Sequence, residues 1–230
     1  MTSAPGRLGD AREVLVVRHG EAYNTVAPDG RRAVPDPSNP PLTPRGEAQA
    51  ALVAPVVAAF APDAAVSSPF LRAAQTGAAA LADVVVPAEL DVRLCEHFVY
   101  DPMRTFDGID LDDYRARFGP LYAIDEALGD RASYPAFPED DASVTRRVTS
   151  LVNEWRARRD WARAVLVGHG ATVSELVQVL VPSASVLAPD VGHCSVTRLV
   201  ERPDGEWDVV ALFDVTHLEA GREGGDESRT

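Results

Sequence analysis

The chain has 230 residues, a formal net charge of −13, and a composition that is 46% hydrophobic and 25% charged. That length suits one substantial domain, or one domain with an inserted lid. A strongly acidic chain is a poor partner for nucleic acid and for anionic membranes, so we expect it to bind neither. No run approaches the ~18 apolar residues of a membrane span, and the first residues lack the apolar centre of a signal peptide.

Two cysteines occur, Cys95 and Cys194, and neither is flanked by a metal-ligand pattern. We therefore expect reduced, buried thiols and a cytoplasmic location. Residues 1–12, which are polar and contain proline and glycine, and residues 218–230, which are polar and glycine-rich, are predicted to be flexible. A single domain is predicted between them, over residues 13–217.

The first part of the chain alternates apolar, β-branched runs with helical patterns, and proline-rich or asparagine-rich stretches separate them. Proline at the first helical position and threonine before it are typical of a helix start. The elements predicted here are a strand over Glu13–Val17, a loop over Ala27–Pro41, a helix from Pro44 to Phe60 with Thr43 as its N-cap, a strand over Ala64–Ser68, a helix from Pro69 through Ala82 and a short strand over Val84–Val86.

The second part opens with an irregular segment rich in aromatic, proline and acidic residues, which we interpret as a lid inserted over residues 97–140. The elements predicted from there on are a lid helix over Leu111–Phe118, an amphipathic helix over Ala142–Arg158, a strand over Ala164–Val167, a helix over Thr172–Leu180 and a hairpin of Val196–Glu201 with Glu206–Phe213. Alternating strands and helices predict an α/β layered domain with a largely parallel sheet.

Side chains suited to phosphate chemistry follow the predicted strands. Arg18 and His19 come directly after the first strand, and His169 comes directly after the strand that ends at Val167. Arg72 follows the second strand near a helix start, and Glu96 precedes the lid. Because ligands bind beyond the carboxyl ends of the strands in such sheets, we expect these side chains to meet at one edge.

This set of residues can transfer a phosphoryl group. Arginine forks bind phosphate oxygens, and a neutral imidazole can attack phosphorus in line. The positive charges of Arg18 and Arg72 would keep His19 neutral, as a nucleophile requires. Glu96 can protonate the leaving oxygen and then accept a proton from water. Gly20 has no side chain, so an anion can approach the backbone there.

Five segments resemble, in the same order, the histidine phosphatase superfamily, which includes the cofactor-dependent phosphoglycerate mutases. They are VRHGE at Val17–Glu21, PLTPRGEAQA at Pro41–Ala50, SSPFLRAAQT at Ser67–Thr76, LCEH at Leu94–His97 and VGHG at Val167–Gly170. The resemblance runs from about Glu13 to Phe213. It implies a three-layer α/β/α sandwich with a mixed, mostly parallel sheet, and no metal or other cofactor.

The resemblance also implies roles. His19 would be the phosphorylated nucleophile, Glu96 the general acid and base, and Arg18, Arg72 and His169 the phosphate ligands. A further phosphate ligand of many members, an asparagine six positions after the nucleophile, falls on Thr25 here, with Asn24 one position earlier. Either residue could serve, and Asn24 is taken as the candidate.

Glu21 and His97 are candidates for the substrate pocket, although Glu21 could instead organise its loop. Other segments, including Leu94–Phe98, Val167–Val173 and Gly192–Thr197, are similar to the branch that contains the T-cell signalling suppressor and ecdysteroid-phosphate phosphatases. That branch implies phosphate monoesters with bulky or aromatic groups.

Three functions fit the sequence, and a phosphohydrolase acting on a small phosphate ester is favoured. A phosphoglycerate mutase is the alternative, but the glycine-glutamate-serine element of that branch is replaced here by Phe137–Asp141. A catalytically silent phospho-ligand binding module is disfavoured because all five chemical residues are present. The oligomeric state stays open, with a homodimer through an exposed sheet edge as one candidate.

Overall fold

The computed structural model describes residues 11–26, 34–158, 160–187 and 190–223, with side chains through Glu219. The predicted loop over 27–41 is irregular from 34 to 41, and its first seven residues lie outside the described residues, as do 1–10 and 224–230 of the predicted flexible ends. Within the described ranges, no helix is both long and apolar enough to cross a membrane.

The described residues form seven strands and six α-helices. The strands are β1 (Glu13–Arg18), β2 (Ala64–Ser67), β3 (Ala88–Leu90), β4 (Tyr122–Ala123), β5 (Arg163–Gly168), β6 (Val196–Glu201) and β7 (Trp207–Asp214). The helices are α1 (Pro44–Phe60), α2 (Leu71–Ala80), α3 (Leu111–Phe118), α4 (Asp141–Ala157), α5 (Gly170–Leu180) and α6 (Thr216–Glu223). Short 3₁₀ helices cover Val92–Leu94, Asp101–Thr105, Glu126–Gly129 and Arg131–Ser133.

All seven strands form one mixed sheet in the order β4-β3-β2-β5-β1-β6-β7. Every neighbouring pair is parallel except those that involve β6, which runs antiparallel to β1 and to β7. Val167 of β5 lies opposite Val17 on one side and Ser67 on the other. The three central strands therefore end at the same edge of the sheet, and the residues that follow them are brought together there.

Alternate residues of the central strands pack into different cores, which is why these strands read as continuous apolar runs. Leu15 and Val17 of β1 belong to a core with α1 and α2, whereas Val14 and Val16 belong to a core with α4 and α5. The sheet is thus covered on both faces. This confirms the predicted α/β fold class with its mostly parallel mixed sheet in three layers.

Helix α1 begins as its sequence predicts. Pro44 is its first residue, and the Thr43 hydroxyl accepts a hydrogen bond from the Gly46 amide at 3.1 Å. The predicted start of the next helix is wrong. Helix α2 begins at Leu71 rather than Pro69, because Ser68 turns the chain by accepting a hydrogen bond from the Phe70 amide.

The third strand is Ala88–Leu90 and not Val84–Val86. Val85 is fully exposed, and Val84 and Val86 pack only partly against the core, so the valine run connects α2 to the sheet without pairing as a strand. Ala88 instead lies opposite Ala65 of β2. At the other end of the chain, residues 218–223 were predicted to be flexible but belong to α6, where Leu218 packs against the core beside α1.

The segment 97–140, which was predicted as a lid, contains five short elements before α4. Helix α3 has the predicted bounds, and Asp110 caps it by accepting hydrogen bonds from two backbone amides. Strand β4, which the sequence analysis missed, extends the sheet. Phe98, Phe106 and Tyr134 pack on one another and are buried in the core that also contains α1 and α2, whereas Tyr100 is half exposed.

We predict that Gly46→Ala destabilises the protein. A glycine-to-alanine change inside a helix ordinarily stabilises by up to about 1 kcal/mol. Here a Cβ atom at Gly46 would lie 1.9 Å from the backbone oxygen of Glu21, which cannot move aside without moving the loop. The clash should dominate and cost at least about 1–3 kcal/mol, measured by urea unfolding.

The matched control is Gly192→Ala, whose added methyl would meet its nearest neighbour, Val215, at an ordinary 3.5 Å. Its unfolding midpoint should stay close to that of the parent chain. An unchanged midpoint for Gly46→Ala would contradict the predicted clash.

Candidate active site

The five residues expected at the strand ends do meet. One ligand atom each from His19, Glu96 and His169 all lie within 4.8 Å of one another. The guanidinium of Arg72 reaches the same place, since its Nε is 3.4 Å from His19 Nε2. Arg72, His19 and His169 are essentially inaccessible to solvent, and Glu96 is 8% exposed. This edge of the sheet is therefore a buried cluster of chemically active groups.

His19 is held as a neutral imidazole. Its Nδ1 lies 2.6 Å from the carbonyl oxygen of Gly20, which can only accept, so Nδ1 carries the proton and Nε2 keeps its lone pair. Burial lowers the pKa of His19 well below its ordinary value, and the charges of Arg72 and Arg18 lower it further. The sequence analysis named the arginines as the cause, but burial is the larger one.

His169 lies beside His19, with ring centroids 4.9 Å apart. Its Nε2 lies 2.9 Å from the Ser68 hydroxyl, and its Nδ1 is buried without a hydrogen-bond partner among the described residues. Burial and the charge of Arg72 lower the pKa of His169 well below its ordinary value. An unpaired buried polar atom costs about 1–3 kcal/mol, so the free enzyme has a polar atom that a ligand can satisfy.

The two arginines provide positive charge that no acid neutralises by direct contact. Among the described residues, neither Arg18 nor Arg72 has a carboxylate within 4.0 Å. Burial lowers the pKa of Arg72 to about 10, with the charge of Glu96 acting in the opposite direction, so Arg72 stays charged at neutral pH. Arg18 donates to the carbonyl of Val191, which fixes its side chain beside the cluster.

Gly20 is held closely by α1 and α2. Its amide donates to the Thr76 hydroxyl at 3.1 Å, and Thr76 in turn donates to the carbonyl of Arg72 at 2.7 Å. A Cβ atom at Gly20 would lie 2.6 Å from the oxygen of Gly46. The residue lacks a side chain because α1 approaches closely, and its amide is already used by α2.

Glu21 organises its loop. Its carboxylate accepts a hydrogen bond from the Thr43 hydroxyl at 2.8 Å and pairs with Arg45 at 3.3 Å, while its amide donates to Gln49. All three partners belong to the start of α1 or its cap. Of the two alternatives left open for Glu21, these contacts favour the loop over the substrate pocket.

The structure distinguishes Asn24 from Thr25. The Thr25 hydroxyl donates to the carbonyl of Ala22 at 2.8 Å within a local turn. Asn24 instead lines a pocket together with Arg72. The other residues that line this pocket are Pro37, Ser38, Pro40, Tyr100, Pro102 and Met103. Of the two candidates, Asn24 is thus the one that shares a pocket with Arg72.

His97 forms hydrogen bonds with Glu139 and Glu96. Its ring Nε2 donates to the carbonyl of Glu139 at 2.9 Å, and its amide donates to the Glu96 carboxylate at 2.9 Å. His193, which the sequence analysis set aside as structural, lies with its ring 5.8 Å from that of His19. Burial and the charge of Arg18 lower the pKa of His193 to about 4.

Two residues that the sequence analysis did not assign to the site, Ser68 and Thr76, hold it in place. Ser68 directly follows β2, so the same strand-end argument that found His19 could have found it. Thr76 lies one helical turn after Arg72 in α2, and its hydroxyl joins this helix to the loop after β1. Helical spacing alone gives no sign of that contact.

The spacing of His19, Glu96 and His169 is also compatible with a bound metal ion. The surroundings favour an anion instead. The Arg72 guanidinium touches the His19 nitrogen that would be a ligand, and a fixed positive charge there repels a cation. The same charge attracts phosphate oxygens.

The sequence as a whole matches one protein family. The model of the histidine phosphatase superfamily (branch 1) matches residues 14–215. The chain belongs to that superfamily. Among curated proteins, no sequence matches the chain significantly.

Solved structures of phosphatases have a similar fold. A protein described as mycobacterial hydrolase 1 is 24% identical, with a TM-score of 0.62 over 89% of this chain and 99% of its own. Mycobacterial glucosyl-3-phosphoglycerate phosphatase in complex with VO3 is 24% identical, with a TM-score of 0.61 over 89% and 100%. A phosphoserine phosphatase mutant from Entamoeba histolytica, in complex with phosphoserine, is 20% identical, with a TM-score of 0.55 over 90% and 98%.

We predict that the protein loses stability as pH falls below about 6.5, the ordinary pKa of histidine. His19, His169 and His193 have lower pKa values when folded, so the unfolded chain binds more protons in this range and is favoured. Each such group adds at most about 1.4 kcal/mol per pH unit to the slope of the free energy of unfolding. Urea unfolding between pH 7.5 and 5.5 measures this slope.

The variants His169→Asn and His193→Asn should each show a shallower slope, because each removes one proton-binding group from the unfolded chain. The histidine account is wrong if both variants keep the parent slope over this range.

Proposed function

We propose that the protein hydrolyses phosphate monoesters through a phosphohistidine intermediate on His19. One observation carries the proposal. The buried imidazole of His19 is neutral, its Nδ1 is bound to Gly20, and its unprotonated Nε2 accepts a hydrogen bond from the guanidinium of Arg72. Among the described residues, that guanidinium has no contacting carboxylate. A nucleophile beside such a positive charge suits attack on an anionic phosphorus centre.

In the first step, the Nε2 lone pair of His19 forms a bond to phosphorus as the ester P–O bond breaks. Glu96 gives its proton to the leaving oxygen. In the second step, water attacks the phosphohistidine, the P–N bond breaks, and Glu96 takes the proton from that water. Inorganic phosphate leaves, and both residues return to their starting state. General acid–base catalysis of this kind contributes about 10²–10⁴ in rate.

Arg18, Arg72 and His169 bind the transferred phosphoryl group throughout. Val191 and Ser68 hold the side chains of Arg18 and His169 before substrate arrives, and Thr76 holds the backbone that carries Arg72. Preorganised donors of this type are worth about 3–4 kcal/mol each in known oxyanion holes. Asn24, which lines the pocket with Arg72, is the further candidate ligand.

The pocket next to Arg72 favours hydrolysis of a monoester over the phosphoglycerate mutase alternative. Of the residues that the structure describes around it, Arg72 carries the positive charge and the others are mainly proline, methionine and tyrosine. A phosphoglycerate would also need a cation for its carboxylate. The similar structures described as phosphatases support the same choice. Both cysteines are free and buried, which supports the further proposal of a cytoplasmic enzyme.

We predict that the protein releases inorganic phosphate from an aryl phosphate and forms acid-labile phosphate on His19 during turnover. Rapid acid-free quenching followed by mass spectrometry of the peptide that contains His19 detects the adduct, and a phosphate assay follows turnover. His19→Ala should lose both, because the attacking nitrogen is gone.

3-Phosphoglycerate is the comparison substrate. A hydrolase should leave it without an isomerised product. Isomerisation of 3-phosphoglycerate with negligible phosphate release would establish the mutase alternative instead, and phosphate binding without turnover of any ester would establish the silent module.

We also predict that removal of divalent metal leaves activity intact. The positive charge that a metal would supply to phosphate is supplied here by two guanidiniums, and these cannot be chelated. The enzyme is dialysed against EDTA and assayed with an aryl phosphate at constant ionic strength. A loss of turnover that added Zn²⁺ or Mg²⁺ restores would show that His19, Glu96 and His169 hold a metal.

A further inference from the structure

We propose that Arg147 and Glu139 are positioning residues for Glu96 and set its power as a general acid. The inference rests on the proposed function, which gives Glu96 that role. Arg147 lies in the middle of α4, on the side of the sheet away from α2. Its guanidinium donates to the carbonyl oxygens of Arg93 at 2.7 Å, Cys95 at 2.8 Å and Glu96 at 3.4 Å. One side chain therefore holds the backbone from Arg93 to Glu96, the residue proposed as the general acid.

Glu139 completes the arrangement from the end of the lid. Its carboxylate pairs with the Arg147 guanidinium at 2.8 and 3.1 Å and accepts a hydrogen bond from the Phe98 amide at 3.1 Å. The Glu139 amide donates to the Phe98 carbonyl at 2.9 Å, and its carbonyl accepts from His97. Glu139 thus binds the backbone after Glu96, and Arg147 binds the backbone before it.

Burial makes this arrangement rigid. The Glu139 side chain is 1% exposed and that of Arg147 is 10% exposed, so water cannot replace either partner at low cost. The planar fork of arginine can reach a carboxylate and three carbonyls at once, which the compact ammonium of lysine cannot. Without these bonds, the segment Arg93–Phe98 would have several buried backbone groups unpaired.

The carboxylate of Glu139 lies in direct contact with the Arg147 guanidinium. Arg18 and Arg72, which bind the substrate in the proposed function, have no such contact among the described residues. Arg147 is thus committed to Glu139 and to the backbone around Glu96, while the two guanidiniums at the strand ends remain available for the phosphoryl group.

The test uses the dependence of kcat/KM on the leaving group, since this constant reports the steps up to cleavage of the ester bond. A poor leaving group such as phenol needs the proton from Glu96, and an activated one such as 2,4-dinitrophenol does not. We expect Arg147→Lys to lower kcat/KM for phenyl phosphate by about 10²-fold, the cost of a misplaced catalytic group, and to change little for the dinitrophenyl ester.

The matched control is the ion pair of Arg12 and Glu201, on the opposite edge of the sheet. It has the same two-pronged geometry, at 2.6 and 2.7 Å, a further bond to the carbonyl of Arg156, and an arginine that is buried to a similar extent. Arg12→Lys should lower stability without changing the ratio of the two kcat/KM values. Thermal unfolding of both variants shows whether their losses of stability are comparable.

A double variant separates positioning from a general loss of structure. If Arg147 acts through Glu96, then Glu96→Gln together with Arg147→Lys should be little slower on phenyl phosphate than Glu96→Gln alone, because the group being positioned is already lost. Should Arg147→Lys fail to fold, Glu139→Gln is measured in the same way and with the same expectation.

The possible failures are distinct. Equal slowing of both esters by Arg147→Lys, or fully additive effects in the double variant, would overturn the positioning role. If Glu96→Gln itself slows both esters equally, the acid role in the proposed function fails first. Selective slowing by Glu96→Gln but not by Arg147→Lys or Glu139→Gln would leave the proposed function standing and remove this inference alone.

Discussion

The candidate site depends on positive charge that is buried at the ends of the central strands without a contacting carboxylate among the described residues. Arg72 is essentially inaccessible, and burial lowers its pKa to about 10 without discharging it at neutral pH, while the charge of Glu96 acts in the opposite direction. A buried charge without a direct partner costs several kcal/mol even after the protein relaxes. Under the proposed function, a phosphate dianion would supply direct partners, so the stability given up in the free protein would be returned as affinity. Burial, together with the charges of Arg72 and Arg18, lowers the pKa of His19 and keeps its imidazole neutral.

The rest of the fold serves to keep these groups from moving away from one another. Parallel pairing places the ends of β1, β2 and β5 in register, and two cores clamp the sheet from both faces. The close approach of Gly20 to Gly46 locks the loop after β1 against α1. Thr76 then ties that loop to the helix that carries Arg72. Groups held in this way need little reorganisation when charge develops in a transition state.

Strand-end reasoning could predict His19, Arg18 and His169, because the sheet topology follows from apolar runs and the chemistry follows from residue type. It could not predict Arg147, which lies 51 residues from Glu96 in the middle of an amphipathic helix and looks like any other polar helix position. The failed strand at Val84–Val86 has a related cause. Local β propensity was strong there, but pairing with β2 selected the weaker run after Pro87.

An overall charge of −13 is compatible with the proposed phosphate binding, because charge acts locally in this protein. The acids at the start of α3 are exposed to solvent, where salt screens them beyond about 8 Å. The guanidinium of Arg72 is buried and hardly screened, so its charge acts strongly on His19. Under the proposed function, a pocket lined by proline and Met103 should accept an uncharged alcohol more easily than a second anionic group.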